Sequence, residues 1–163
     1  MAYPKGLPKR YRWHWAHPWR LRARRHRGFK RWLRRNGYLS PNFTLREAAC
    51  KDGTNVPAGR MRRRAQRHAF RLERLRHALG DRPVAVISWY RTAEYNRRIG
   101  GASLSQHISA IATDHPRQWV DAMGRQRVLR HAERIFRSNG LGLYPGGSVH
   151  CDSRGFRARW SSW

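Results

Sequence analysis

The chain has 163 residues, enough for one domain with a hydrophobic core plus an appendage of some tens of residues, and too few for two full domains. Its 36 Lys and Arg against 9 Asp and Glu give a formal net charge of +27, which favours polyanionic partners: nucleic acid, anionic lipid or anionic wall polymers. Two cysteines, Cys50 and Cys151, exclude a disulfide framework and a CxxC metal or redox motif, while a single bridge between them stays open.

Residues 1 to 38 read as a basic, aromatic-rich N-terminal arm, and 39 to 163 as the folded domain. The first forty residues hold no Asp or Glu, thirteen Lys or Arg, and Trp13, Trp15, Trp19 and Trp32. Charges interrupt this stretch every few positions, so it has no apolar run of signal-peptide or membrane-span length. The expectation is a chain made in the host cytoplasm without a signal peptide and without a transmembrane segment. A helix over 20–35 is expected around Leu21, Phe29, Trp32 and Leu33. Two readings of the arm stand side by side: a loose or disordered segment whose aromatics partly cover the domain, and a binder of nucleic acid or of an anionic surface.

Beyond Pro41, Thr44-Leu45-Arg46-Glu47 has capping-box spacing and predicts a short helix ending by the Lys51-Asp52-Gly53 turn. Met61, Ala65, His68, Leu72, Leu75 and Leu79 recur at helical spacing up to Gly80, the strongest helix signal in the chain. Its His68 and His77 read as surface or core-edge residues rather than ligands. Val84 to Ile87 predicts a short buried strand leading into Ser88-Trp89-Tyr90-Arg91. Helices are expected around 93–98, from Pro116 through Ala122, and over 128–136, followed by strands at Leu143-Tyr144 and Ser148 to Asp152. Together these elements predict an α+β fold, with a small antiparallel sheet flanked by helices.

Metal sites in hydrolases commonly use three imidazole or carboxylate ligands and leave a fourth position for water. His107, Asp114 and His150 supply such a set. His107 and Asp114, seven apart, cannot share a helical face, but fit neighbouring strand ends joined by a tight loop. His150 and Asp152 would share one strand face, with Val149 and Cys151 on the other. With nine histidines in the chain, spacing by itself does not single out this triple.

The surrounding residues do. Ser105, His107, Ala112 and Asp114 match the pattern S-x-H-x-x-G-x-A-x-D, and Ser148-Val149-His150-Cys151-Asp152 matches a V-H-x-D ending. The stretches Phe43 to Thr54, Ser88 to Thr92, and Gly142-Leu143-Tyr144-Pro145 agree in order. Over about residues 38 to 163 the chain thus resembles the D-alanyl-D-alanine carboxypeptidase family of zinc peptidases, which includes VanX-like dipeptidases, and within it the phage endolysin-type branch. The resemblance implies zinc held by His107, Asp114 and His150, and Arg91 facing the substrate and the oxyanion that forms on its carbonyl.

Two positions depart from the pattern: Ala110 replaces the glycine three after the first ligand, and Gly147 replaces the acidic general base of many relatives. Asp152 becomes the candidate base, or alternatively the residue that orients His150. His115 is a poorer candidate for the base, and Ser105 is expected to hydrogen-bond within the metal loop.

The function expected is zinc-dependent hydrolysis of peptidoglycan stem peptides, as a D,D-carboxypeptidase or endopeptidase. A phage lysin would act on the wall after release or from the virion, its arm binding anionic wall polymer or lipid. The alternative is a catalytically inactive, peptidase-like phage structural or nucleic-acid-binding protein.

Overall fold

The computed structural model describes residues 3–20, 26–53 and 55–161. The fold is organised by its longest helix, α3 (Gly59–Ala78), whose apolar stripe buries Ala65, Ala69, Leu72 and Leu75. It ends where the sequence predicts, with Gly80 in the left-handed region and its N–H bonded to the His77 carbonyl.

Against α3 and α6 (Arg125–Ile135) packs a four-stranded sheet in the order β3 (Ala112–His115), β5 (Val149–Asp152), β4 (Gly140–Leu143), β6 (Ala158–Ser161). β3, β5 and β4 pair antiparallel, and β6 joins the edge in parallel. The α+β class and the small antiparallel sheet therefore stand, with one edge strand the sequence did not announce. Period-two alternation sorts the two faces of β5: Val149 and Cys151 join Leu141, Phe136 and the α3 leucines in the core, while His150 and Asp152 occupy the opposite face. Both cysteines are buried free thiols.

The short helices α4 (Ala93–Arg98) and α5 (Arg117–Ala122) lie where expected, α4 capped by Thr92 Oγ1 accepting from Tyr95 N–H at 3.0 Å. Two expected elements shrink. The Thr44–Glu47 capping box forms, with Glu47 Oε2 accepting from Thr44 N–H at 2.7 Å. It closes only a turn, because the next bonds along the chain span three residues and Cys50 N–H then turns to Asn55 O. Residues 84–87 run extended beside β3, joined to it by the Ile87 N–H bond to the Asp114 carbonyl and the adjacent Ser88–Asp114 bridge, and form no strand. Pro83 brings no donor, and the Ala85 carbonyl is taken by the His115 ring at 2.7 Å.

The N-terminal residues fold as 3-10 turns at Lys9–Tyr11 and Pro18–Arg20, α1 (Arg12–Ala16) and α2 (Arg27–Arg35); Leu21 lies outside the described residues. They form a second apolar cluster of Leu7, Trp15, Phe29 and Leu33 that meets α3 at Phe70. Trp19 stacks flat on His77, 3.8 Å between centroids. A two-residue strand pair, β1 (Tyr38–Ser40) with β2 (Phe43–Thr44), leads into the rest of the chain. Among the described residues no helix is long and apolar enough to cross a membrane.

Candidate metal centre

On the face of the sheet away from α3, Asp114 of β3 and His150 of β5 are direct cross-strand partners. This places their side chains side by side, as non-sequential neighbours on one pleat. His107 comes from the turn before β3, not from a strand end. Its carbonyl accepts from the N–H of Arg91 and of Ala110, which pins the turn beneath the Ser88–Arg91 segment. One ligand atom from each of the three residues lies within 4.8 Å of the others, and all three side chains are buried.

The hydrogen bonds fix what each ring offers. His107 Nδ1 donates to the Trp89 carbonyl at 2.6 Å, which leaves Nε2 as the unprotonated nitrogen. That Nε2 is buried without a hydrogen-bond partner; Asp114 Oδ2 stands 3.2 Å away but outside bonding geometry. An orphaned buried acceptor costs about 1–3 kcal/mol, and a cation at this point removes the cost. His150 presents Nδ1 to Asp114 Oδ1 at 2.8 Å and gives Nε2 to Asp152 Oδ2 at 3.2 Å. Two imidazole nitrogens and a carboxylate oxygen fit a zinc-type ion, each histidine being oriented through its second nitrogen.

Burial works against the charged form of Asp114, but the adjoining His107 and His150 rings outweigh it and hold the carboxyl far below its ordinary range. Burial lowers His107, keeping it neutral. Burial also disfavours charge on His150, yet Asp114 and Asp152 together raise it. Above the triad opens a cavity of about 710 Å³ lined by Arg91, Ser105, Gln106, Tyr144, Arg154 and Trp160, among others.

Arg91 lies where the motif puts it. Nε donates to Ser88 Oγ at 3.0 Å and Nη2 to Asp114 Oδ2 at 2.9 Å, so the guanidinium is fixed at the cavity wall. Asp152 is elsewhere: fully buried behind His150 and absent from the cavity wall. Its Oδ1 accepts from Gly140 N–H and Arg154 N–H at 3.0 Å, and its Oδ2 from Arg154 Nη2 at 2.5 Å and from His150. This geometry corresponds to the orienting alternative.

His115 is also buried, on the opposite face of β3, and desolvation lowers it to about 4. Its Nε2 meets Thr113 Oγ1, which also meets His68 Nε2, so His68 is a core residue that joins α3 to the sheet. Ser105 lies on the cavity wall, its carbonyl accepting from Ile108 N–H.

The two departures have local causes. Gly147 has φ +82° in the β4–β5 turn, a conformation that strains any residue with a side chain, and a Cβ there would press on the side chains of Arg125 and Arg117. Ala110 takes the left-handed conformation itself, φ +56°, fully buried, with its carbonyl accepting from Trp89 Nε1 at 3.2 Å. Sequence reasoning missed Tyr144 and Trp160 as cavity residues. Burial raises Tyr144 to about 12, so its hydroxyl remains a donor. The Trp160 ring lies 5.0 Å from that of His150, and the signal for it was Gly142, where any side chain would strike the indole.

A buried His-Asp-His set under an open cavity, with a fixed arginine beside it, defines a candidate mononuclear metal centre of hydrolase type. The chain belongs to the Peptidase M15 family, whose model matches residues 38–152. It is 36% identical over 77 residues to the zinc D-Ala-D-Ala carboxypeptidase of Streptomyces albus G, a match that covers 45% of this chain and 30% of that protein.

Proposed function

We propose that the protein is a zinc-dependent peptidase that hydrolyses peptide bonds in the stem peptides of bacterial peptidoglycan. The observation that carries this is the convergence of His107, Asp114 and His150 at the floor of an open cavity, with His107 Nε2 otherwise unpartnered. Family membership supports the reaction class, and the name of the Streptomyces relative supports the zinc ion and the substrate class.

When bound, zinc would polarise the scissile carbonyl and lower the pKa of a coordinated water. The chain's own residues do the rest. Trp89 and Asp152 hold the two imidazoles in the tautomers that present Nε2 of His107 and Nδ1 of His150. Arg91, held through Nε and Nη2, keeps Nη1 for the carbonyl oxygen, where negative charge develops only as the bond is attacked. Tyr144 and Arg154 add donors on the cavity wall. The finer reading is a phage lysin that cuts within the stem or removes its terminal D-Ala, reaching the wall after release or from the virion.

One observation favours a second reading. Among the described residues, Asp114 is the single carboxylate on the cavity wall, so the acidic base of many relatives has no counterpart. A catalytically inactive, peptidase-like phage structural or nucleic-acid-binding protein fits that feature and the charge. Zinc content of the purified protein and turbidity loss of purified walls, for the native chain and Asp114→Ala, separate the two. The expected result is about one zinc per chain and wall clearing, both lost in the variant. A native chain that binds no zinc, clears no walls and shifts DNA at moderate salt overturns the peptidase reading. Mass spectrometry of the released peptides identifies the bond cut.

A further inference from the structure

A concentration of unbalanced charge lies away from the metal centre, in a cleft of about 370 Å³ between α2 and α3. From α3 it is lined by Arg63, Arg67, Arg71 and Arg74, and from α2 by Arg27, Arg31 and Arg34. The α3 row advances about one residue per turn along one helix face, over about 16 Å of axis.

Among the described residues no Asp or Glu lines the cleft. Among the described residues none of these arginines pairs with a carboxylate, while Arg76, Arg98, Arg117, Arg125 and Arg159, outside it, all do. Arg71 feels the Asp152 carboxylate at a distance, and the row otherwise faces its own cations.

The cleft is built rather than incidental. Its buried lining includes Gln66, whose Nε2 donates to the Lys30 carbonyl at 3.2 Å and whose Oε1 takes a hydrogen bond from Arg34, while Arg62 bonds the Arg34 carbonyl. These contacts hold α2 against α3 with their cations face to face. The crowding shows in ionisation. Burial, then Arg63, Arg62 and Arg31, lower Arg34, and burial, then Arg74 and Arg67, lower Arg71.

We propose that this cleft is a binding site for a linear phosphodiester polyanion, specifically a polyol-phosphate chain of the kind carried by bacterial walls. Guanidinium groups match phosphate oxygens in bidentate geometry. A row at one cation per turn suits a chain of phosphates better than one isolated anion. Nucleic acid fits less well, because base stacking needs open aromatic faces and the cleft's one aromatic, Phe70, is buried with the Lys30 ammonium 5.2 Å from its ring. The choice of a wall polymer rests on the peptidase reading above; the anion site itself rests on the cleft alone.

The test is equilibrium binding to the full chain at fixed ionic strength. Its three probes are poly(glycerol phosphate), glycerol phosphate monomer at equal total phosphate, and a single-stranded oligonucleotide of equal charge. The native chain should bind the polymer at least tenfold more tightly than the other two.

The double variant Arg67→Gln/Arg71→Gln should lose about tenfold or more in polymer affinity and reduce the slope of log affinity against log salt by about one to two. The charge-matched Arg130→Gln/Arg137→Gln, outside the cleft, should lose less than threefold. If the first pair perturbs folding in a thermal melt, the exposed pair Arg63→Gln/Arg74→Gln replaces it with the same expectation.

Equal losses in cleft and control variants would mean that net charge alone attracts the polymer, and would overturn the site. Tighter binding of the oligonucleotide, or equal binding of the monomer, would overturn the ligand class. No hydrolysis enters the readout, so a failure here is distinct from a failure of the peptidase assignment.

Discussion

Replacing Asp152 by Asn keeps the shape of the side chain and removes its charge, a change that reaches the metal centre through His150. The carboxylate takes Gly140 N–H, Arg154 N–H and two Arg154 side-chain donors, and still receives the Nε2 proton of His150 at 3.2 Å. All of its neighbours donate. An amide NH₂ must therefore face at least one donor.

Where the amide faces His150, the ring proton moves to Nδ1, the nitrogen that looks at Asp114 and must be bare to hold a metal. Loss of an outer partner of this kind typically lowers metal affinity 10- to 100-fold, about 1.4–2.8 kcal/mol. Breaking a buried charge pair adds a folding cost of about 3–5 kcal/mol. Zinc affinity is read by competition with a chromophoric chelator, and stability by thermal unfolding with and without zinc. If Asp152→Asn lost stability yet kept zinc affinity within threefold of the native chain, the positioning argument would be wrong.

Arg91→Ala should lower kcat on a small soluble peptide by about 10²- to 10³-fold while zinc content is retained. Arg91→Lys should not restore it, since an ammonium cannot span both Ser88 and Asp114; recovery of more than half the native kcat would remove the oxyanion role. At Ala110, Gly relieves a left-handed Cα at the loss of one buried methyl, so its change in stability should stay within about 1 kcal/mol. Ala110→Val, β-branched in a filled space, should lose at least about 2 kcal/mol. Thermal melts decide between them, at about 2–4 °C per kcal/mol for a chain of this size.

Glu73, fully buried, has its pKa raised by desolvation, despite bonds from Ser40 and Asn42 that favour the anion. A raised carboxyl contributes stability below its unfolded pKa, and that contribution is lost as pH rises through the folded pKa. Glu73→Gln should therefore flatten the fall in stability from acid toward neutral pH. Parallel pH curves for the two proteins would contradict the burial argument.

Local signals carried much of this chain. The repeat from Met61 to Leu79 fixed α3, and Gly80 its end, because helical periodicity and a C-terminal glycine are properties of neighbouring residues. Alternation along Val149 to Asp152 likewise fixed which side chains enter the core and which face the site, and the motif residues named His107, Asp114, His150 and Arg91.

What required the tertiary structure were contacts between distant segments. Asp114 opposite His150 is a matter of strand register, and the placing of Asp152 behind that histidine depends on Gly140 and Arg154 closing around it. The basic N-terminal stretch could be read as loose because its four tryptophans show no periodicity of their own. Trp19 stacks on His77 of α3 and the cluster holding Trp15 meets α3 at Phe70, each more than fifty residues away, and burial against them orders the described part of the segment. The arginine cleft arises from the same docking: each row is an ordinary solvated helix face in sequence, and becomes a site only when α2 and α3 turn those faces toward each other.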